Sequence, residues 1–379
     1  MKILAISHAY IEPFTRVGLI EKGISPGMEI TVALPDFTAR KNEEGYNQLI
    51  SEGYDVRLLP AIFSFHQSVT FYMPAAFTLT KTLQPDIIFI NNEPWSMTAI
   101  EIAAGIKLLR RKPKLIIYTC ENQIRTYPFP FSTGERFVLK NADMIATITR
   151  KEGREVLNKK GYKGPIVELP LSVDTTIFRK HLSPGIRRSI VTADTFVVGY
   201  VGRLVKEKGI DVLLRAAALV KNDFHILLIG DGPQRQPLYE LGKELNIENK
   251  ITFLNKISHL DLPKYLCCMD TLVLPSLTTP NWKEQFGRVL IEAMACEVPV
   301  IGSSSGEIPE VIGNAGLVFD EGNINDLKEK LLLLKNDTVL RNTMAMSGRE
   351  RVVTVFDKRK IMKQTAAIYT RVLNNEITY

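Results

Sequence analysis

Two glutamates with seven residues between them, Glu284 and Glu292, bracket an apolar run in EQFGRVLIEAM (residues 284–294). Carboxylates accept hydrogen bonds from hydroxyls, so the pair suits a neutral, hydroxyl-rich ligand. The sequence reads as a loop, TTPNWKEQ (278–285), running into a helix from about Phe286 to Cys296. At the helix start the N–H groups of Arg288, Val289 and Leu290 are expected to be unpaired donors, and the helix dipole favours an anion there. Gly287 would let a ligand approach the backbone closely. Val289, Leu290, Ile291, Ala293, Met294 and Ala295 make the helix apolar on nearly all sides. Such a helix is buried, and a buried Glu292 needs a partner; two ordinary surface glutamates would not carry that pattern.

A second stretch offers the complementary charge. FVVGYVGRLVKEKGIDVLLRAAALV (196–220) reads as a strand ending at Gly202, a short loop with Arg203 and Lys208, and a helix opened by Gly209. Two cations, free backbone N–H groups and the positive end of a helix would together hold a phosphate. A solvated basic turn has the same composition, so this stretch alone decides little.

The block GRLVKEKG…EQFGRVLIEAMACEVPVIGSSSGEIPEVIGNAGLVF resembles the donor-binding half of the retaining glycosyltransferases of family 4, the group 1 enzymes of GT-B fold, whose signature is a glutamate pair with this spacing. The similarity runs from LPLSVDTTIF (169–178), where Ser172 stands in a usual glycine position, to the final helix. The resemblance implies a hexosyltransferase that moves a hexose, with retention, from a nucleotide diphosphate sugar (UDP- or GDP-sugar) to a hydroxyl acceptor in glycan, polysaccharide or glycolipid synthesis. It implies Arg203 and Lys208 on the donor diphosphate, Glu292 on the ribose hydroxyls and Glu284 on the transferred sugar. Gly202 and the segment Phe286, Gly287, Arg288, Val289 and Leu290 would hold sugar and phosphate, and Asn255, Lys256 and Ile257 the base. It further implies that the final helix, within 357–379, crosses back onto the N-terminal domain.

Some positions depart from that pattern. The loop SHAYIEPFTRVG (7–18) has one glycine where relatives often have a pair, and Arg16 could replace the lost N–H contacts. Relatives often place a histidine after the fifth strand; here IIYTCENQIRTYPFPF (116–131) offers Glu121 and Asn122, which could bond sugar hydroxyls or carry the acceptor proton. A loop-stabilising polar cluster is the alternative. Glu297 takes a common glycine position near a helix end. On the acceptor side, His8, Glu93 and Trp95 follow predicted strands, and the indole could stack on a sugar ring. His66, His181, His225 and His259 show no such placement. The aromatic stretch 61–77 reads as core, or as an acceptor cleft or lipid contact, and KLLRRKPK (107–114) as a solvated helix end or a headgroup site worth about 1 kcal/mol per charge.

No Asp-x-Asp is present and Asp231 in GDGP stands alone, so transfer is expected to be metal-independent, with no cofactor beyond the donor substrate. A nucleotide-sugar epimerase or a phosphorylase of the same fold, and a non-catalytic nucleotide-sugar-binding protein, are the rival readings. A dehydrogenase is disfavoured because no G-x-G-x-x-G follows the first strand.

The elements that must position these residues are short apolar runs alternating with amphipathic segments. Seven runs (2–7, 29–35, 55–60, 86–90, 114–119, 143–148, 165–170) precede residues 171–194, and six (196–202, 224–230, 250–254, 270–275, 298–302, 316–319) follow. Continuous apolar strands separated by helices predict parallel sheets covered on both faces. The expectation is α/β: two Rossmann-like domains facing a central cleft, residues 1–175 (with 357–379 packing back) for the acceptor and 176–356 for the donor. The segment 171–194, rich in charge and broken by proline and glycine, reads as the linker. At 379 residues two domains are the prior. The net charge of +7 divides as +4 in residues 1–172 and +3 beyond, so no basic arm points to nucleic acid. Four cysteines without metal-ligand spacing suggest reduced thiols. The N-terminal run reads as a strand, not a signal peptide, and no run approaches ~20 apolar residues, so a cytoplasmic protein with at most peripheral membrane contact is expected.

Overall fold

Every predicted apolar run forms a strand, and all strand pairs in the two sheets are parallel. The computed structural model describes all residues except 13–14, 38–41, 64–68, 182–183, 192–194, 221–223 and 377–379. The first sheet contains β1 (Lys2–Ile6), β2 (Glu29–Pro35), β3 (Asp55–Leu59), β4 (Ile87–Asn91), β5 (Lys114–Thr119), β6 (Met144–Thr147) and β7 (Ile166–Glu168). The second contains β8 (Phe196–Val201), β9 (Phe224–Ile229), β10 (Ile251–Leu254), β11 (Thr271–Leu274), β12 (Val300–Ser303) and β13 (Leu317–Phe319). Their orders are β3-β2-β1-β4-β5-β6-β7 and β10-β9-β8-β11-β12-β13. Both sheets therefore grow outward in two directions from a first strand, as doubly wound sheets do. The direction switches between β1 and β4 in one and between β8 and β11 in the other. Ligands of such sheets sit outside the carboxyl ends of the strands at that switch.

Burial explains the apolar runs. In β4 the side chains of Ile87, Ile88, Phe89 and Ile90 are all at most 1% exposed, because helices cover both faces. The first core gathers Leu4, Ile6, Ile88, Ile90, Ile117 and Ile145 with residues of the helix Met97–Lys107. The second sheet is as apolar, with Leu272, Val273, Val300 and Ile301 fully buried.

The chain folds into two compact units, Met1–Leu171 with Arg359–Tyr379, and Ser172–Lys358. The final helix, Lys358–Leu373, lies almost wholly in the first unit. Its buried residues Ile361, Met362, Thr365, Ala366, Ile368, Tyr369 and Val372 recur on one face, as an amphipathic helix requires. Tyr369 donates its hydroxyl to the Gly18 carbonyl (2.5 Å) and meets Phe89 edge-on.

Two expectations are corrected here. Most of the predicted linker is folded into the second unit. Pro184 and Gly185 open a helix, Pro184–Ile190, instead of breaking one. Arg187 fastens that helix by donating to the carbonyls of Cys268 (2.6 Å) and Thr195 (2.8 Å) and by pairing with Asp270 (2.9 Å). The aromatic stretch 61–77 is also not uniform: Tyr72 and Ala76 are core, whereas Ile62 and Phe63 are 56% exposed, and residues 64–68 lie outside the described residues.

Candidate active site

The switch point of the second sheet gathers the residues that the sequence singled out. The loop after β8 and the loop after β11 are stitched together where the Leu277 N–H meets the Glu207 carbonyl (2.8 Å). Gly209, at φ +61°, is pressed against Pro275; a Cβ would lie 2.1 Å from the Pro275 carbonyl oxygen, so only glycine permits this approach. Lys208, beside it, thereby reaches Glu284: Nζ to Oε2 is 2.5 Å. The same carboxylate oxygen accepts from Ser276 Oγ (2.6 Å), and the Lys208 ammonium also lies over the Trp282 ring. Behind Glu284, Gly306 (φ +54°) makes room for the Glu284 carbonyl, 2.0 Å from where a Cβ would stand. Two glycines with positive φ thus frame one ion pair.

The helix predicted at 286–296 runs from Arg288 to Ala295 and is capped by Gly287 (φ +78°). Two details are corrected. The Leu290 N–H is closed onto the Gly287 carbonyl (2.8 Å), so it is not one of the expected unpaired donors. Phe286 is 3% exposed and packs edge-on against Phe356, so its ring is core and not a ligand contact. Val289 is half-buried at the helix start.

Glu292 is 2% exposed and has the partner its burial demands. Its Oε1 receives Arg288 Nε (2.9 Å), one helical turn earlier, and His259 Nε2 (3.2 Å). His259 comes from the loop after β10 and is stacked at a tilt on Phe178. His259 carries no local signal of this role, because 33 residues separate it from Glu292 and only the β10-β9-β8-β11 strand order brings them together. The nearest signal was the unmet need of a buried acid. Nearby, Asn255 and Lys256 are exposed and Ile257 is half-buried. Arg203 is exposed at the end of β8, beside Gly202; its main-chain carbonyl accepts the buried Tyr200 hydroxyl (2.8 Å), which shapes the loop and leaves the guanidinium pointing to solvent.

The first unit's switch point holds the other candidates. His8 starts a short 3-10 helix after β1, and its Nδ1 lies 3.2 Å from Asn92 Nδ2 after β4. Glu93 receives the Cys120 N–H (2.9 Å) and the Thr119 hydroxyl. Burial, reinforced by the Glu121 charge, raises its carboxyl to about 7. Glu121 is bound at both oxygens, by Tyr127 (2.5 Å) and Lys160 (2.6 Å), and Lys160 also holds Glu135 (2.6 Å). Both oxygens of Glu121 are thus held in a buried ion-pair cluster, the loop-stabilising arrangement that the sequence also allowed. Asn122 beside it is 6% exposed. The Trp95 ring is stacked on Tyr127 (centroids 4.3 Å) with Phe131 at its edge, so one face is unavailable to a sugar. Lys160, Tyr127 and Glu135 were not found from sequence, since no local pattern links Glu121 to a lysine 39 residues away.

Arg16 is corrected outright. It is 8% exposed, with Nε on the Tyr10 carbonyl (3.0 Å), one nitrogen on Glu52 (2.6 Å) and another on the Gly45 carbonyl (3.1 Å). It braces a loop and does not replace phosphate-binding N–H groups. Among the described residues no group of three or more His, Cys, Asp or Glu is placed to hold a metal, and no helix is long and apolar enough to cross a membrane.

Two Rossmann-like units in one chain define the GT-B class of α/β fold, with the acid-base grip at the switch point of the second. Residues 186–351, nearly all of that second unit, match the family described as glycosyl transferases group 1. The chain is similar to N-acetyl-alpha-D-glucosaminyl L-malate synthase of Bacillus anthracis, 28% identical over 64% of this chain and 63% of that protein. It is also similar to the capsular polysaccharide biosynthesis glycosyltransferase CapM of Staphylococcus aureus, 33% identical over 48% of this chain and 47% of CapM. Both alignments reach less than two thirds of the relative's own length. The fold is shared over almost the whole chain with a glycosyltransferase of Rickettsia africae (TM-score 0.80, 18% identity, 99% of each chain). It is shared equally with Anabaena HepE solved in complex with UDP (TM-score 0.79, 20% identity, 98% of this chain and 100% of that one).

Proposed function

We propose that the protein is a retaining glycosyltransferase that moves a hexose from a nucleotide diphosphate sugar to a hydroxyl acceptor. One observation carries the reading. Lys208 and Glu284 form an ion pair, and Glu292 is pinned by Arg288 and His259, all at the carboxyl edge of β8, β10 and β11. A cation, an anchored hydroxyl acceptor and a helix start within one unit suit a sugar nucleotide better than either a simple anion or a simple sugar.

In this reading Glu292 holds the ribose hydroxyls, its free capacity being on the oxygen opposite Arg288 and His259. Arg203 and Lys208 face the diphosphate and stabilise the leaving group as fixed cations, so transfer needs no metal. Glu284, steered by Ser276 and Lys208, takes hydrogen bonds from the sugar hydroxyls. Attack by the acceptor on the face that the diphosphate leaves lets a phosphate oxygen take the acceptor proton, since no side chain stands out as a nucleophile. In the first unit His8, Asn92, Glu93 and Asn122 surround the acceptor side. HepE was solved with UDP and with UDP-glucose, which supports UDP as the nucleotide tried first. A lipid-linked acceptor would suit the exposed Leu108 (74%) beside the basic run 107–114 and a peripheral membrane contact there.

The test is a screen for nucleotide release from UDP- and GDP-sugars against lipid-linked, sugar and small-molecule acceptors. Acceptor-dependent release from one donor is expected. Tight donor binding with no release under any acceptor would instead make the protein a nucleotide-sugar-binding module.

A further inference from the structure

Cys267 and Cys296 end two helices at the same place. Cys267 is the C-cap of Leu262–Leu266, and Cys296 is the C-cap of Arg288–Ala295, the helix that carries Glu292. Cys267 Sγ donates to the Cys296 carbonyl oxygen (3.9 Å), which brings the two cysteines side by side. Cys267 also accepts the His181 N–H (3.2 Å) and faces the Arg179 carbonyl (3.6 Å).

The pair is polarised. Cys267 is partly exposed and Cys296 only 2% exposed, so an oxidant meets Cys267 first. The Cys296 thiol, then the His181 N–H, favour the Cys267 thiolate and bring it down to about 7 against the effect of burial. The neighbouring Cys267, together with burial, pushes Cys296 up. An accessible thiolate backed by a buried thiol is the arrangement that converts oxidation into a disulfide. Cys268 differs although it is adjacent: it is buried, donates to the Lys264 carbonyl (3.2 Å) and is pushed up to about 11.

We propose that Cys267 and Cys296 form a reversible disulfide that ties the ends of these helices and changes the grip on the nucleotide. With a peroxide as oxidant, the Cys267 thiolate attacks one oxygen, the O–O bond breaks and hydroxide leaves, giving a sulfenic acid. The Cys296 sulfur then attacks that sulfur; the S–S bond forms, the S–O bond breaks, and the hydroxyl departs with the thiol proton as water. Two thiols lose two electrons and one peroxide becomes two waters. An S–S bond is about 2.05 Å long, so bridging Cys267 to the residue whose carbonyl now lies 3.9 Å from its sulfur must draw the helix ends together. Glu292 lies one turn before Cys296, its carbonyl accepting the Cys296 N–H, and His259 lies just ahead of the other helix. The effect on nucleotide binding rests on the reading of Glu292 as a ribose ligand.

The experiment compares wild type with Cys267→Ser, Cys296→Ser and Cys268→Ser. Each is treated with equimolar hydrogen peroxide, then its thiols are counted after denaturation, its peptides mapped, and its UDP and GDP affinity measured before and after dithiothreitol. Wild type should fall from its four thiols to two, with a 267–296 cross-link, and lose nucleotide affinity that dithiothreitol restores. Cys268→Ser should behave alike, and the other two variants should form no cross-link. An unchanged thiol count, loss mapped to Cys120 or Cys268, or a sulfinic acid at Cys267 without a bridge would overturn the disulfide. A bridge that leaves affinity unchanged would overturn the coupling. Reduced protein with no affinity for either nucleotide would count against the donor reading, while the thiol count still decides the bridge.

Discussion

Lys208 Nζ stands 2.5 Å from Glu284 Oε2, across two loops that leave different strands and that are pinned together by Gly209 against Pro275. Both side chains are mostly buried, at 14% and 9% exposure. The cation that the proposed function assigns to the diphosphate is thus paired with the acid that it assigns to the sugar.

Breaking that pair from one side leaves an uncompensated charge. Glu284→Gln and Lys208→Met should each cost about 2 kcal/mol of stability, and the double variant less than the sum. Urea denaturation of the four proteins checks this. Transfer should be lost in all three variants, and full activity in either single variant would remove the pair from the site.

Arg203 makes the opposite prediction. Its guanidinium is exposed and braces nothing, so Arg203→Ala should leave stability within about 0.5 kcal/mol of wild type. It should weaken nucleoside diphosphate binding about tenfold and monophosphate binding far less, as loss of a charge-assisted hydrogen bond to the second phosphate requires. Calorimetric titration of both ligands separates the two.

His259 orients Glu292 without needing to touch the ligand. His259→Ala should weaken nucleotide binding about fivefold and raise KM more than it lowers kcat, because about 1 kcal/mol of hydrogen bonding to Oε1 is removed. His259→Gln retains a donor and should recover most of the loss. Equal damage by both variants would mean the ring is needed for packing on Phe178.

Buried Glu101 accepts the N–H groups of Tyr72 and Met73, and burial raises its carboxyl to about 7. Unfolded, a glutamate titrates near ~4.3, so between those values the folded state binds more protons. Stability of the first unit should therefore fall as pH rises from about 5 to 7, and Glu93 acts in the same direction. Glu101→Gln should flatten that slope, read as the urea midpoint at pH 5, 6, 7 and 8. A wild-type midpoint that climbs over this range would contradict the assignment.

The fold was legible because each β-branched run carries its own signal. A strand covered on both faces is apolar at every position, as in IIFI (87–90), and no distant residue is needed to recognise it. The Glu284–Glu292 spacing and the loop cations were legible for a related reason, since each lies within one strand-loop-helix unit. Arg16 was misread because a buried arginine and a ligand-binding one look the same in sequence; Glu52 and the carbonyls of Tyr10 and Gly45 decide between them.

Taken alone, the sequence determined the two parallel sheets, the residues at their carboxyl edges and the acids and cations of the second unit. These follow from local periodicity and from residue type. Only the tertiary structure decided which of those groups are committed to one another: Lys208 to Glu284, His259 to Glu292, Lys160 to Glu121, Cys267 to Cys296. Such pairings join residues 29 to 76 positions apart, and strand order, not spacing along the chain, sets which loops meet. Burial then does the rest, because a charge removed from water must take the nearest partner that the sheet supplies.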